Sequence, residues 1–117
     1  MSNALIAEKW LQAFNDHALE ELLALYADDA IHFSPKLKQR QPDTNGLVSG
    51  KPAMRAWWKD ALERLPSLHY EKRSITADNE RAFMEYVRKV EGEEDMNVAE
   101  VLEIRNGLII ASRVYHG

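Results

Sequence analysis

The chain has 117 residues, 45% hydrophobic and 29% charged, which suits one globular domain over residues 1–117 and excludes a disordered chain. The absence of cysteine excludes a disulfide scaffold, a thiolate metal site and a cysteine nucleophile together. Fifteen Lys and Arg against nineteen Asp and Glu give a net charge of −4, with no basic footprint for nucleic acid.

The N-terminal segment contains Asn3, Glu8 and Lys9 and reads as too polar for a signal peptide. No apolar run approaches the roughly eighteen residues of a membrane span, so a cytoplasmic setting is expected. Over residues 5–14, Ile6, Trp10 and Phe14 recur at every fourth position and Leu11 widens the same face. That spacing predicts an amphipathic helix. Asn15 and Asp16 interrupt it and can cap the next helix. Leu19, Leu22, Leu23 and Tyr26 predict this second, short helix, ending near Asp28 and Asp29. Residues 30–34 read as short and extended, with Pro35 as the stop. Residues 36–50 carry Pro42, Asn45 and Gly46 without an apolar period, and predict a long loop of the functional or mobile kind. Pro52 opens a third helix with a stripe of Met54, Trp57, Trp58, Ala61, Leu62 and Leu65, and Pro66 ends it.

Beyond Pro66 the period becomes alternating, predicting strands at 68–76, 82–90, 96–104 and 108–116. Asn106-Gly107 is the strongest hairpin signal. Such short connections require antiparallel neighbours. Three N-terminal helices and a C-terminal meander predict an α+β fold, with helices packed on one face of a curved antiparallel sheet.

On the strand at 96–104, Met96, Val98, Glu100, Leu102 and Ile104 share one face. Glu100 stands in its middle, where a carboxylate must be neutral, paired or solvated by a pocket. A wet edge or a quiet arginine pair would account for it equally well. Tyr86 and Arg88 share a face of the preceding strand and both come within reach. Arg88 would keep Glu100 ionised and a poor acid, whereas Tyr86 in a dry pocket would raise its pKa into a useful range. Alternation alone allows both. His32 and Ser34 share a face of the first strand. In the last hairpin, a strict two-residue turn places Arg113 opposite Glu100. A one-residue bulge instead brings Ser112, Val114 and His116 onto that face.

Trp10, Phe14, Trp57 and Trp58 read first as core, with at least one free to wall a pocket. Lys36, Lys38 and Arg40 either border a pocket mouth, biasing it towards anions, or are ordinary loop residues. His116 is either an acid/base group or part of a frayed terminus. His17, His32, His69 and His116 lack metal-ligand spacing, and no phosphate-binding loop, dinucleotide fingerprint or nucleophile elbow occurs. No metal and no cofactor are expected. The last two strands carry apolar residues on both faces: Ile109 and Ile110 adjoin, and Val101, Val114 and Tyr115 cannot share one pocket. A homodimer through the outer face of the sheet is therefore expected, with Glu103 and Arg113 able to pair across its twofold axis.

The run Ala24-Leu25-Tyr26-Ala27-Asp28-Asp29-Ala30-Ile31 leading into Pro35 resembles the NTF2-like superfamily, within it the SnoaL-like, polyketide cyclase-like branch. Gly50-Lys51-Pro52-Ala53-Met54, Trp57-Trp58, the hairpin around Asn106-Gly107 and the closing Arg113-Val114-Tyr115 complete the resemblance. It implies a cone with a pocket at one end, often dimeric, and it favours the bulged hairpin. Ketosteroid isomerases of this superfamily place a basic aspartate where Ser34 stands, and an oxyanion-stabilising acid near Glu100. The limonene epoxide hydrolase triad is replaced by Tyr86, Arg88 and Val114. The acid that polyketide cyclases carry near the last strand has no counterpart in Ser112, Val114 or His116. The expected function is a small-molecule pocket with Glu100, Tyr86 and His32 as catalytic candidates. Ser34, Arg88, Trp58, Val98, Val114 and His116 would bind a small apolar or weakly anionic ligand. The alternative is a non-catalytic ligand-binding or dimerisation module on the same cone.

Overall fold

A computed structural model describes residues 2–117, and Met1 lies outside the described residues. Ser2 is extended and its side chain accepts the Leu5 N–H at 3.1 Å, which starts helix α1 (Asn3–Asn15). Ile6, Trp10, Leu11 and Phe14 are buried along it, as the spacing predicts. Helix α2 (Leu19–Leu23) stops well short of Asp28, and Tyr26 opens strand β1 (Tyr26–Phe33) instead of closing the helix. The extended chain lets the Tyr26 hydroxyl reach two buried partners and the Leu25 carbonyl accept the Ile109 N–H at 2.8 Å. Such tertiary bonds override a weak helical period. Asn15 and Asp16 do not cap α2, whose N-cap is Ala18 without a side-chain bond. Asn15 instead donates to the Tyr70 carbonyl at 2.9 Å and accepts its N–H at 2.7 Å, docking the end of α1 on a sheet edge.

The stretch expected as one loop contains helix α3 (Pro35–Arg40), a 3-10 turn (Pro42–Thr44) and strand β2 (Leu47–Ser49). The described residues therefore hold four α-helices rather than the expected three. Pro35 does end the strand, but its fixed φ also suits the first position of a helix. Leu37, 2% exposed, anchors that helix in the core. Helix α4 (Lys51–Arg64) comes next and buries Met54 and Trp58 fully, while Trp57, Ala61 and Leu62 are half-buried.

Strands β3 (His69–Ala77), β4 (Arg81–Lys89), β5 (Met96–Arg105) and β6 (Leu108–His116) fall within a residue of the predicted ranges. Asn106 and Gly107 both have positive φ, 53° and 79°, the paired left-handed geometry that a tight hairpin turn needs. The sheet order is β2-β1-β6-β5-β4-β3, antiparallel throughout except that β1 runs parallel to β6. The last hairpin is bulged: Ile104 pairs with Ile109, and Glu103 with Ala111. Ile110 is the extra residue, and it turns Ser112, Val114 and His116 to the face of Leu102, Glu100 and Val98. Helix α1 packs on β3 and β4, while α4 packs on β1 and β2.

On the outer face Ile31, Phe83 and Tyr115 are 42%, 49% and 50% exposed. Arg113 and Glu103, expected to pair across a twofold axis, pair with each other within the chain. Among the described residues no helix is long and apolar enough to cross a membrane.

Candidate functional site

The two helices lean on opposite ends of the sheet, and a cavity of about 300 Å³ lies between them over β5 and β6. That volume is at the low end for small-molecule sites. Glu100, Tyr86, His32, Ser34, Arg88, Trp58, Val98, Val114 and His116, the nine residues expected at the site, all line it. Trp10, Phe14 and Trp57 line it as well, so the helical aromatics serve core and wall at once. Lys36 and Arg40 reach the cavity from α3, whereas Lys38 does not.

Glu100 sits opposite Met84 on β4 and Val114 on β6, with Tyr86 on the diagonal. The Tyr86 hydroxyl donates to Glu100 Oε1 at 2.8 Å, while Oε2 is buried without a partner. Arg88 does not pair with Glu100; it bonds Glu93 in the turn between β4 and β5. Removed from water and without a cation, the Glu100 carboxyl is pushed up to about 8, an effect the Tyr86 bond only partly offsets. It is therefore mostly neutral at pH 7. Because Oε1 accepts the phenol, the carboxyl proton belongs on Oε2, which makes that oxygen a donor. Burial first, then the nearby carboxylate, raises the Tyr86 phenol well above its usual value, so it stays a donor. Tyr70 stacks on Tyr86 with centroids 4.3 Å apart and fixes its ring.

A second polar thread crosses the floor. Trp10 Nε1–H donates to the Tyr26 hydroxyl at 3.0 Å, and Tyr26 donates to Ser112 Oγ at 2.9 Å. Ser112 Oγ lies 2.6 Å from His32 Nδ1. An indole N–H can only donate, and with each hydroxyl hydrogen given to a neighbour within the thread, the thread has one direction. Tyr26 passes its hydrogen to Ser112, and Ser112 passes its own to His32 Nδ1. Nδ1 is thus the acceptor, and the His32 proton resides on Nε2. Burial pulls the His32 pKa down to about 4, so the ring is neutral near pH 7. His32 pairs in register with Ser112, two residues along β6 from Val114, the partner of Glu100. Two neutral donor groups, a carboxylic acid and an imidazole, therefore stand on one face of the sheet.

The mouth is charged. Lys36, Arg40, Arg64 and Arg88 line it together with Glu93. His116 pairs with Val98 at the end of β6, is half-buried and lines the cavity, so it is not part of a frayed tail. Burial, then the Lys36 and Arg88 charges, lower its pKa and keep it neutral near pH 7.

The site also contains residues that sequence reasoning does not select: Tyr26 and Ser112 in the polar thread, and Tyr70 against Tyr86. The spacing of Tyr26 places it on a helix. Ser112 has a signal in the bulged register, but nothing in the sequence pairs it with His32. Among the described residues no group of three or more His, Asp or Glu side chains is placed to hold a metal ion.

A family profile described as the SnoaL-like domain matches residues 7–112. A comparison with curated proteins gives no match. Among solved structures, a SnoaL-like protein of unknown function from Burkholderia thailandensis superposes with TM-score 0.87 at 24% identity, covering 98% of this chain and 94% of that one. A Kribbella flavida protein assigned provisionally as a ketosteroid isomerase gives 0.80 at 20% identity, covering 98% and 77%. A Sinorhizobium meliloti protein assigned provisionally as a polyketide cyclase gives 0.79 at 17% identity, covering 94% and 93%. At these identities the likeness establishes the shared fold.

Proposed function

The chain belongs to the SnoaL-like domain family, and from that premise we propose that its cavity takes up a small, largely apolar carbonyl compound and moves a proton on it without a cofactor. The observation that carries this is Glu100 Oε2, a buried carboxyl oxygen without a partner in a cavity walled by aromatic rings. A carboxyl there is costly unless something uses it. Glu100 would hydrogen-bond the developing oxyanion of an enolising carbonyl, and the neutral ring of His116, on the same cavity wall, would accept the α-proton and return it at the new position. Tyr86 would hold the acid in place and His32 would offer Nε2–H to the same oxygen. The chemistry is of the isomerase or cyclase type, and one SnoaL-like domain over residues 1–117 in the cytoplasm would carry it.

Ser34, standing where ketosteroid isomerases have their base, favours a second reading: a ligand-binding module without catalysis. Solvent deuterium exchange separates the two. The protein should accelerate exchange of the α-protons of a bound aryl ketone such as 2-tetralone, and Glu100→Gln should abolish the acceleration while retaining binding. Binding without exchange would leave the module. A carboxyl NMR titration of Glu100 near the ordinary value of 4.5, unmoved by the ketone, would remove Glu100 from any acid/base role.

The same proposal includes a homodimer through the outer sheet face. Exposed Ile31, Phe83 and Tyr115, large apolar side chains on that one face, support it. Sedimentation at micromolar concentration should give twice the chain mass; a 13.5 kDa species would overturn it.

A further inference from the structure

Arg88 and Glu93 form an ion pair in the cavity wall. Arg88 lies on the inner face of β4, two residues beyond Tyr86 and therefore about 7 Å along the strand towards the mouth. Its side chain is only 11% exposed, while Glu93, its partner at 2.8 Å, is 45% exposed and comes from the turn after β4. The buried partner is thus the cation, and the carboxylate reaches in from solvent. Lys36 stands close enough that its charge, after the Arg88 bond, helps hold the Glu93 carboxyl below its ordinary range. Four cationic side chains line the cavity against Glu93 and the mostly neutral Glu100. Arg40 and Arg64 share Asp60 behind the lining, which leaves Lys36 as the cation of the four without an ion pair among the described residues. A low-dielectric wall makes that excess felt by any ligand at the mouth.

We infer that the ligand of this cavity is an aromatic carboxylate with a second oxygen function, and that its carboxylate replaces Glu93 on Arg88. The inference rests on the cavity being the ligand site. Glu93 stands in for the ligand's anion: same charge, same planar geometry, and an exposed turn to withdraw on. An Arg guanidinium takes a carboxylate through two parallel N–H bonds, whichever molecule supplies it. The spacing from Arg88 to the Tyr86–Glu100 pair suits a carboxylate and an oxygen at opposite ends of one or two fused rings. Trp58, Phe14 and Tyr70 supply the flat apolar walls for those rings.

The test uses two probes that differ only in the anion, 6-hydroxy-2-naphthoate and 2-naphthol, with affinities measured by calorimetry on the full chain. The wild-type protein should prefer the naphthoate by about tenfold or more. Arg88→Gln should abolish that preference while 2-naphthol still binds. Glu93→Gln should tighten the naphthoate by about threefold to tenfold, because the internal competitor is gone, and leave 2-naphthol nearly unchanged. Glu93 comes from an exposed turn and Gln keeps a hydrogen-bond acceptor for Arg88, so this variant decides the matter even if the Arg88 variant folds poorly. Equal binding of both probes, or a naphthoate affinity that Glu93→Gln fails to raise, overturns the inference and leaves the cavity a ligand site. Binding of neither probe overturns both.

Discussion

The hydroxyl of Tyr86 lies 2.8 Å from Oε1 of Glu100, and the other oxygen of that carboxyl meets no partner. Tyr86 and Glu100 are brought together by one register choice, Met84 opposite Glu100, which puts the phenol on the diagonal. A phenol can supply one hydrogen and no charge. It orients the acid without ionising it, and ionisation of Glu100 therefore becomes a property of the folded state.

That property has a pH signature. Glu100 rises from 4.5 to about 8, so its stabilisation is full below 4.5 and is lost as pH climbs through 8. His32 falls from 6.5 to about 4, so its contribution is full above 6.5 and is lost as pH falls through 4. Between 4.5 and 6.5 the two slopes cancel. Between 6.5 and 8 Glu100 acts alone, and stability should fall by about 1.4 kcal/mol per pH unit. In Glu100→Gln the curve should rise up to 6.5 and then stay level. Urea unfolding at pH 4.5, 6.5 and 8 reads both curves, and parallel curves would contradict the burial of an acid here.

Ser112→Ala should cost about 2–4 kcal/mol, because it strands the Tyr26 hydroxyl and His32 Nδ1 in the interior. It should also release the His32 tautomer. Nitrogen shifts of the imidazole should report Nε2–H in the wild type and a mixture in the variant. Unchanged shifts would mean that Ser112 does not set the tautomer.

Lys36 and Lys38 lie in the same short helix, yet only Lys36 lines the cavity. Lys36→Ala should weaken 6-hydroxy-2-naphthoate by about twofold to fivefold at low salt and less at high salt. Lys38→Ala should leave it unchanged. Equal effects from both would reduce the role of α3 to a diffuse positive field.

Phe83→Asp places a charge in the middle of the outer face, where Phe83 is 49% exposed in the single chain. The proposed dimer should dissociate while the monomer keeps its fold, because nothing on the inner face changes. Sedimentation and circular dichroism together check this. A variant that still sediments at twice the chain mass would put the contact elsewhere.

Much of the chain spoke for itself. Ile6, Trp10 and Phe14 set the inner face of α1, since one period of 3.6 residues decides which side of a helix is apolar. Alternation located β3 to β6 and isolated Glu100, and Asn106-Gly107 fixed the last turn through its left-handed backbone. These features are local. Each depends on the spacing of neighbours along the chain, which a sequence contains in full.

Other features needed the third dimension. The sequence allowed Glu100 to meet either Tyr86 or Arg88, and the choice fell to Tyr86 because Glu93, from the turn after β4, occupies Arg88. Tyr26 looked helical until Trp10 and Ser112, far from it in the chain, offered its buried hydroxyl partners. The parallel pairing of β1 with β6 brought His32 to Ser112, a contact between residues 80 positions apart. Period and propensity set an element's type and its apolar face, because these arise within a few residues. Which buried polar groups satisfy one another depends on how distant elements pack, and the cost of leaving one unpaired decides it.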